Sequence, residues 1–185
     1  MAFGVVLDTC VLYPFSLCDL LLRLADRELY DPFWSDRILD ELARNLAEAG
    51  LTAEQVAWRI SQMRQAFPAA EVPADAVARL EPAMANHPKD RHVLAAAVAS
   101  GADAIVTFNL DDFATDACEP HDVEPLHPDE FLLALYELDP GTVGAEVTAQ
   151  AAALTRPPIS RAELVAILST AGVPEFAARA STHHE

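Results

Sequence analysis

Residues 90–113, DRHVLAAAVASGADAIVTFNLDDF, decide the fold of this chain. Pro88 pre-sets the backbone for a first helical turn, and Asp90 stands where the helix dipole favours a negative charge. The apolar run from Val93 to Val98 is nearly unbroken, which predicts a helix buried on most of its surface. Gly101 ends that helix in the left-handed cap position. Ala104 to Val106 reads as a short, fully buried strand of the kind found in parallel sheets. Asn109, Asp111 and Asp112 follow at its carboxyl end, the edge where open α/β sheets bind ligands. Asp90 at a helix start and Asp112 beyond a strand end are therefore expected to converge on one crevice.

Towards the N-terminus, Phe3 to Leu7 is a second buried-strand run, with Asp8 and Thr9 directly behind it. On its own, Asp8 is equally suited to accepting backbone hydrogen bonds in the next turn. Pro14 and Ser16 open a helix through about Ala25. Leu29 to Trp34 reads as a strand in spite of Pro32. Ser35 caps a helix over 36–48, with Ile38, Leu39, Leu42 and Leu46 facing the core and Glu41 on the flank of that stripe. The bland alternative for Glu41 is an i,i+4 pair with Arg37. Thr52 and Gln55 form a capping box for a helix over 53–67, in which Met63 and Phe67 read as core. Ala70 to Val72 is a third strand, and Asp75 to Met84 a helix broken near Pro82.

Towards the C-terminus, Val123 to Leu126 is a last strand, and Pro128 starts a helix through Leu138. Strands alternating with helices imply a three-layer α/β domain around a parallel sheet of four or five strands. Asp139-Pro140-Gly141 punctuates the chain, so a domain over 1–139 and a small helical extension over 140–185 are expected. The extension has helices over 142–154, from Ser160 to Gly172, and after Pro174. It carries no chemical constellation and reads as a docking element.

A formal net charge of −17 argues against a general nucleic-acid coating protein. No Lys or Arg lies between Arg91 and Arg156, and the acidic charges there read mostly as solvated surface. Cys10, Cys18 and Cys118 form neither a disulfide framework nor a zinc spacing. No window approaches the roughly 18 apolar residues of a membrane span, and no leader pattern is present, so a cytoplasmic protein is expected.

Four carboxylates thus share one kind of placement: Asp8, Glu41, Asp90 and Asp112. Like charges gathered at a sheet edge are costly unless protonated or neutralised by a cation. Oxygen ligands alone suit Mg²⁺ or Mn²⁺, and such a site can activate water for displacement at phosphorus.

On VVLDTCVL (5–12), Glu41 within SDRILDEL (35–42), residues 90–113 and VEPLHPDEFL (123–132), the chain resembles a PIN-domain ribonuclease over roughly residues 1–138. Its helical tail is similar to that of a subset of VapC-like toxins from toxin–antitoxin pairs. The resemblance implies Mg²⁺- or Mn²⁺-dependent endonucleolytic hydrolysis of RNA, leaving 3′-hydroxyl and 5′-phosphate ends. It implies that Asp8, Asp90 and Asp112 hold metal and that Glu41 completes the site, often through water. It further implies that Thr9, Thr107 and Asn109 orient these acids. Asp111 could substitute for Asp112, although Asp112 stands directly before Phe113 as the family pattern has it; Asp40 competes less well with Glu41. His87 and His92 read as a turn and a helix-surface residue. A local patch of Arg37, Arg44, Lys89 and Arg91 is the expected RNA contact. A small antitoxin is the implied partner, and a homodimer is common in the family.

Two rival readings share some of these features. A phosphatase of the haloacid dehalogenase type also starts with an Asp after a buried strand, but it wants a second Asp where Cys10 stands. A catalytically silent PIN-fold module that binds RNA or protein would keep the fold without the activity.

Overall fold

The computed structural model describes residues 3–182. In chain order the elements are β1 (Gly4–Leu7), α1 (Thr9–Leu12), α2 (Phe15–Asp26), β2 (Asp31–Ser35), α3 (Asp36–Glu48), α4 (Ala53–Ala66), β3 (Glu71–Val72), α5 (Ala74–Leu80), α6 (Arg91–Ser100), β4 (Ala104–Val106), α7 (Thr115–Cys118), β5 (Glu124–Leu126), α8 (Pro128–Leu138), α9 (Pro140–Ala153), α10 (Arg161–Thr170) and α11 (Pro174–Ser181). They fall into two compact units. Met1–Tyr13 and Tyr30–Leu126 form one, and Pro14–Leu29 with His127–Glu185 the other.

The first unit is built on a five-stranded sheet in the order β3-β2-β1-β4-β5. Every pairing is parallel. After β1 the chain adds β2 and β3 on one side and then crosses to add β4 and β5 on the other. The carboxyl ends of β1 and β4 therefore flank a topological switch point, where such sheets open a crevice. Asp8 and Thr107 directly follow those two strands, in register at Leu7 and Val106.

Val5, Val6, Leu7, Ile105 and Val106 are fully buried, as their apolar runs require. Helix α6 packs against β1, β2, β3 and β4, and its alanines at 95, 96 and 97 have no exposed surface. Small side chains let this helix lie close to the sheet. It ends at Gly101, whose φ of 68° is a left-handed conformation that costs glycine little.

Pro32 is accommodated inside β2 by the pairing pattern. Asp31 N–H bonds to Phe3 O on the β1 side, and Trp34 N–H bonds to Ala70 on the other side. Pro32 faces that other side two residues before the first β2–β3 pair, Trp34 with Glu71. The helix expected over 75–84 with a break near Pro82 stops at Leu80 and tightens into a 3₁₀ turn over Glu81–Ala83 around Pro82. The first turn at Pro88 is likewise 3₁₀, over Pro88–Asp90. Met63 is buried, and Phe67 meets Trp34 edge-on at 6.1 Å.

The second unit is helical. Helix α2 packs on α9 and α10, α8 on α9 and α11, and α10 on α9 and α11. Leu20, Leu24, Leu132, Val147, Leu168 and Phe176 are completely buried. Asp139-Pro140-Gly141 is a joint between two helices. Asp139 N–H closes α8 on Leu135 O, while its Oδ1 accepts from Thr142 N at 2.9 Å and caps α9. Among the described residues no helix is long and apolar enough to cross a membrane.

Candidate metal centre

Asp8 leaves β1 as the N-cap of α1, its Oδ1 accepting from Thr9 N at 2.7 Å. Its Oδ2 accepts from Thr107 Oγ1 at 2.7 Å, and Thr107 Oγ1 in turn accepts from Asn109 N at 3.0 Å. A fully buried threonine thus ties the β1 acid to the loop after β4. Asn109 takes part through its backbone, its carbonyl also accepting from Asp112 N.

Asp90 ends the 3₁₀ turn before α6 and is 6% exposed. Its Oδ2 is buried and has no hydrogen-bond partner. Burial above all, and then the Asp8 and Asp112 carboxylates, push its carboxyl up to about 6. This is the response of a buried acid placed among like charges, which Lys89 only partly offsets. Asp112 ends a 3₁₀ turn over Leu110–Asp112 and is partly exposed.

Glu41, on α3, reaches the same region from another side. Thr9 Oγ1 lies 3.2 Å from Ile38 O and 3.3 Å from Glu41 Oε2, so one of the two takes its proton. Glu41 Oε1 lies 3.2 Å from His92 Nε2. Burial raises the Glu41 carboxyl, but His92, Thr9 and Arg37 together outweigh it and hold the group below its usual range. Glu41 is therefore ionised at neutral pH.

One expectation is corrected here, and two residues find contacts that their spacing did not show. His92 lies inside, with no exposed surface, because α6 is covered on nearly every side. His87 does occupy a turn, yet its Nδ1 comes within 3.9 Å of Asp90 Oδ2 and 4.0 Å of Asp112 Oδ1. Arg37 pairs with Glu81 at 2.6 Å instead of with Glu41, whose oxygens already face Thr9 and His92. Of the other basic residues expected to meet RNA, Arg44 stands 3.9 Å from Glu41 and is mostly exposed. Arg91 Nε donates to Asn86 O at 3.4 Å, and Lys89 is exposed beside Asp90.

Cys10 is a contributor that residue spacing did not reveal. Its Sγ lies 3.3 Å from both Asp8 Oδ2 and Thr107 Oγ1 and accepts from Phe108 N at 3.2 Å. Burial, followed by the Asp8 carboxylate, pushes this thiol up to about 12. It therefore stays protonated and can donate to Asp8.

Three of these residues are placed to fit a divalent cation, and Asp8 and Glu41 stand outside that group. Donor atoms of His87, Asp90 and Asp112 all lie within 4.8 Å of one another. The buried, unpartnered Asp90 Oδ2 lacks the compensation that buried polar atoms ordinarily find.

Residues 4–111 match the family described as PIN domain, a span that includes Asp8, Glu41 and Asp90 and stops just before Asp112. Residues 128–182 match the family described as VapC50 C-terminal domain. The Mycobacterium tuberculosis protein named "Putative ribonuclease VapC50" is 45% identical over 98 residues, which are 53% of this chain and 57% of that protein. The match thus spans little more than half the length of that relative. No solved structure matches the chain.

Proposed function

The chain belongs to the PIN-domain family, and from that premise we propose that it is a Mg²⁺- or Mn²⁺-dependent endoribonuclease, the toxin of a toxin–antitoxin pair. The observation that carries this reading is the buried Asp90 carboxylate, unpartnered at Oδ2 and electrostatically coupled to Asp8 and Asp112 beside the switch point of the sheet. Asp8, Asp90 and Asp112 would hold the cation, with Glu41 completing the site. The cation would supply charge neutralisation at the phosphoryl group and an acidified water.

The protein's own part is placement. Thr107, Cys10 and the Thr9 amide fix both oxygens of Asp8. Glu41, ionised, is suited to accept a proton from the attacking water. The water oxygen would bond to phosphorus as the P–O3′ bond breaks, leaving a 3′-hydroxyl and a 5′-phosphate. Arg44 and Lys89 are proposed as the local contacts for RNA on an otherwise acidic surface, with Arg37 and Arg91 beside them.

The proposed chemistry lies within residues 1–139. The extension proposed over 140–185 serves docking, and a small antitoxin is the proposed partner. In the test, purified protein freed of any partner is incubated with total cellular RNA, with and without Mn²⁺, beside Asp8→Asn. Discrete Mn²⁺-dependent fragments that the variant does not produce are expected. No cleavage by either protein, with no stabilisation by Mn²⁺, would leave a silent binding module.

A further inference from the structure

We propose that His87 adds an imidazole nitrogen to the carboxylate site, so that the site takes a first-row transition ion in preference to Mg²⁺. This rests on the metal-dependent reading above and goes beyond its oxygen-only ligand set.

The local backbone dictates the placement. Pro88 opens the 3₁₀ turn, in which residues three apart eclipse one another. His87 and Asp90 stand at that spacing, and Asp90 N donates to His87 O at 2.9 Å. His87 N in turn donates to Asp112 O at 3.1 Å, which ties the turn before α6 to the loop after β4. The histidine is thus anchored by main-chain bonds to both acids that its ring faces.

The ring does not close on those acids by hydrogen bonding. Nδ1 is 3.9 Å from Asp90 Oδ2 and 4.0 Å from Asp112 Oδ1, beyond hydrogen-bond range. Donors bound at about 2.1 Å to one cation stand roughly 3–4.2 Å apart. Both spacings fall in that interval, and no two of the three donors stand more than 4.8 Å apart. Asp90 Oδ2 is the second, independent sign of a ligand. It belongs to a side chain more than nine-tenths buried, faces the imidazole and has no partner.

The chemistry of the donor then sets the choice of ion. An all-oxygen set suits Mg²⁺ and Mn²⁺ alike, and a neutral imidazole is the donor that favours a transition ion, Mn²⁺ included, over Mg²⁺. Mg²⁺ also gives up its water reluctantly and demands near-ideal octahedral geometry. One nitrogen among carboxylates tilts the site away from it.

The test uses the full chain loaded with Mn²⁺ and examined by pulsed electron paramagnetic resonance. A ¹⁴N modulation from a directly bound imidazole is expected in the wild type and not in His87→Ala. In parallel titrations His87→Ala should weaken Mn²⁺ binding about tenfold or more and change Mg²⁺ binding less than about twofold. Mn²⁺ bound without nitrogen coupling, or an equal loss for both ions, would overturn the role of His87 and leave the metal-dependent nuclease standing. Failure of both ions to bind the wild type would overturn both readings.

Discussion

His92 Nε2 stands 3.2 Å from Glu41 Oε1, and no part of His92 reaches solvent. A buried ring at that distance restricts which way the carboxylate faces, although Nε2 falls outside hydrogen-bond geometry. Partners that orient a metal-site group in this way are commonly worth about 10–100-fold in affinity or activity. His92→Leu should therefore lower Mn²⁺-dependent RNA cleavage by about that factor. If the effect passes through Glu41, the same substitution in a Glu41→Gln background should cost little more, because interacting sites are not additive. Full additivity in this double-mutant cycle would show that His92 acts elsewhere.

Thr107 makes a separate prediction. Its hydroxyl donates to Asp8 Oδ2 and accepts from Asn109 N in a fully buried setting. Thr107→Val keeps the shape and removes both bonds, leaving a buried amide and a carboxylate oxygen short of partners. A loss of about 1–3 kcal/mol is expected, read as a lower urea midpoint at unchanged slope. Thr107→Ser should recover most of it, and equal midpoints for all three proteins would contradict the argument.

Much of this was legible in the residues themselves. Val5 to Leu7 and Ala104 to Val106 are apolar runs that end on polar residues, and both became strands whose carboxyl ends flank the crevice. Ser35 marked the start of α3 because an N-cap is a local signal, and its Oγ does accept from Ile38 N. What stayed hidden depends on distant partners. Arg37 finds Glu81 forty-four positions away, and Cys10 meets Thr107 across ninety-seven. The burial of His92 was implied by the apolar run beside it, but the polarity of histidine argued the other way. The short α1 and α7, four residues each, are too brief to show a helical period.

Asp90 predicts how stability responds to pH. Burial, then Asp8 and Asp112, raise its carboxyl to about 6, while an unfolded Asp titrates near ~3.9. The folded state therefore keeps a proton that the unfolded chain has lost. The contribution is fully present below about pH 4 and falls as pH rises to about 6, by on the order of 3 kcal/mol. Metal-free Asp90→Asn should match the wild type near pH 4 and be more stable at pH 7.5. A cation competes with that proton, so the rise in Tm on adding Mn²⁺ should be small at pH 5 and larger at pH 7.5. A rise independent of pH, measured by thermal unfolding, would sink this account.

Asp129 carries the prediction for the helical unit. It lies on the first turn of α8 and is nearly buried. Its two oxygens accept from Phe176 N at 2.7 Å and Glu175 N at 3.0 Å, the first amides of α11. Those amides have no partner within their own helix, and a carboxylate there also meets the positive end of the helix dipole. Asp129 therefore binds the last helix to α8, next to the edge-on contact of Tyr136 with Phe176. Asp129→Ala should destabilise the protein by about 2–3 kcal/mol, since hydrogen bonds to a charged group are the stronger kind. Asp129→Asn keeps an acceptor oxygen and should lose roughly half as much. Urea unfolding of the three proteins decides it. Equal losses would mean that the charge, and not the number of bonds, holds α11 in place.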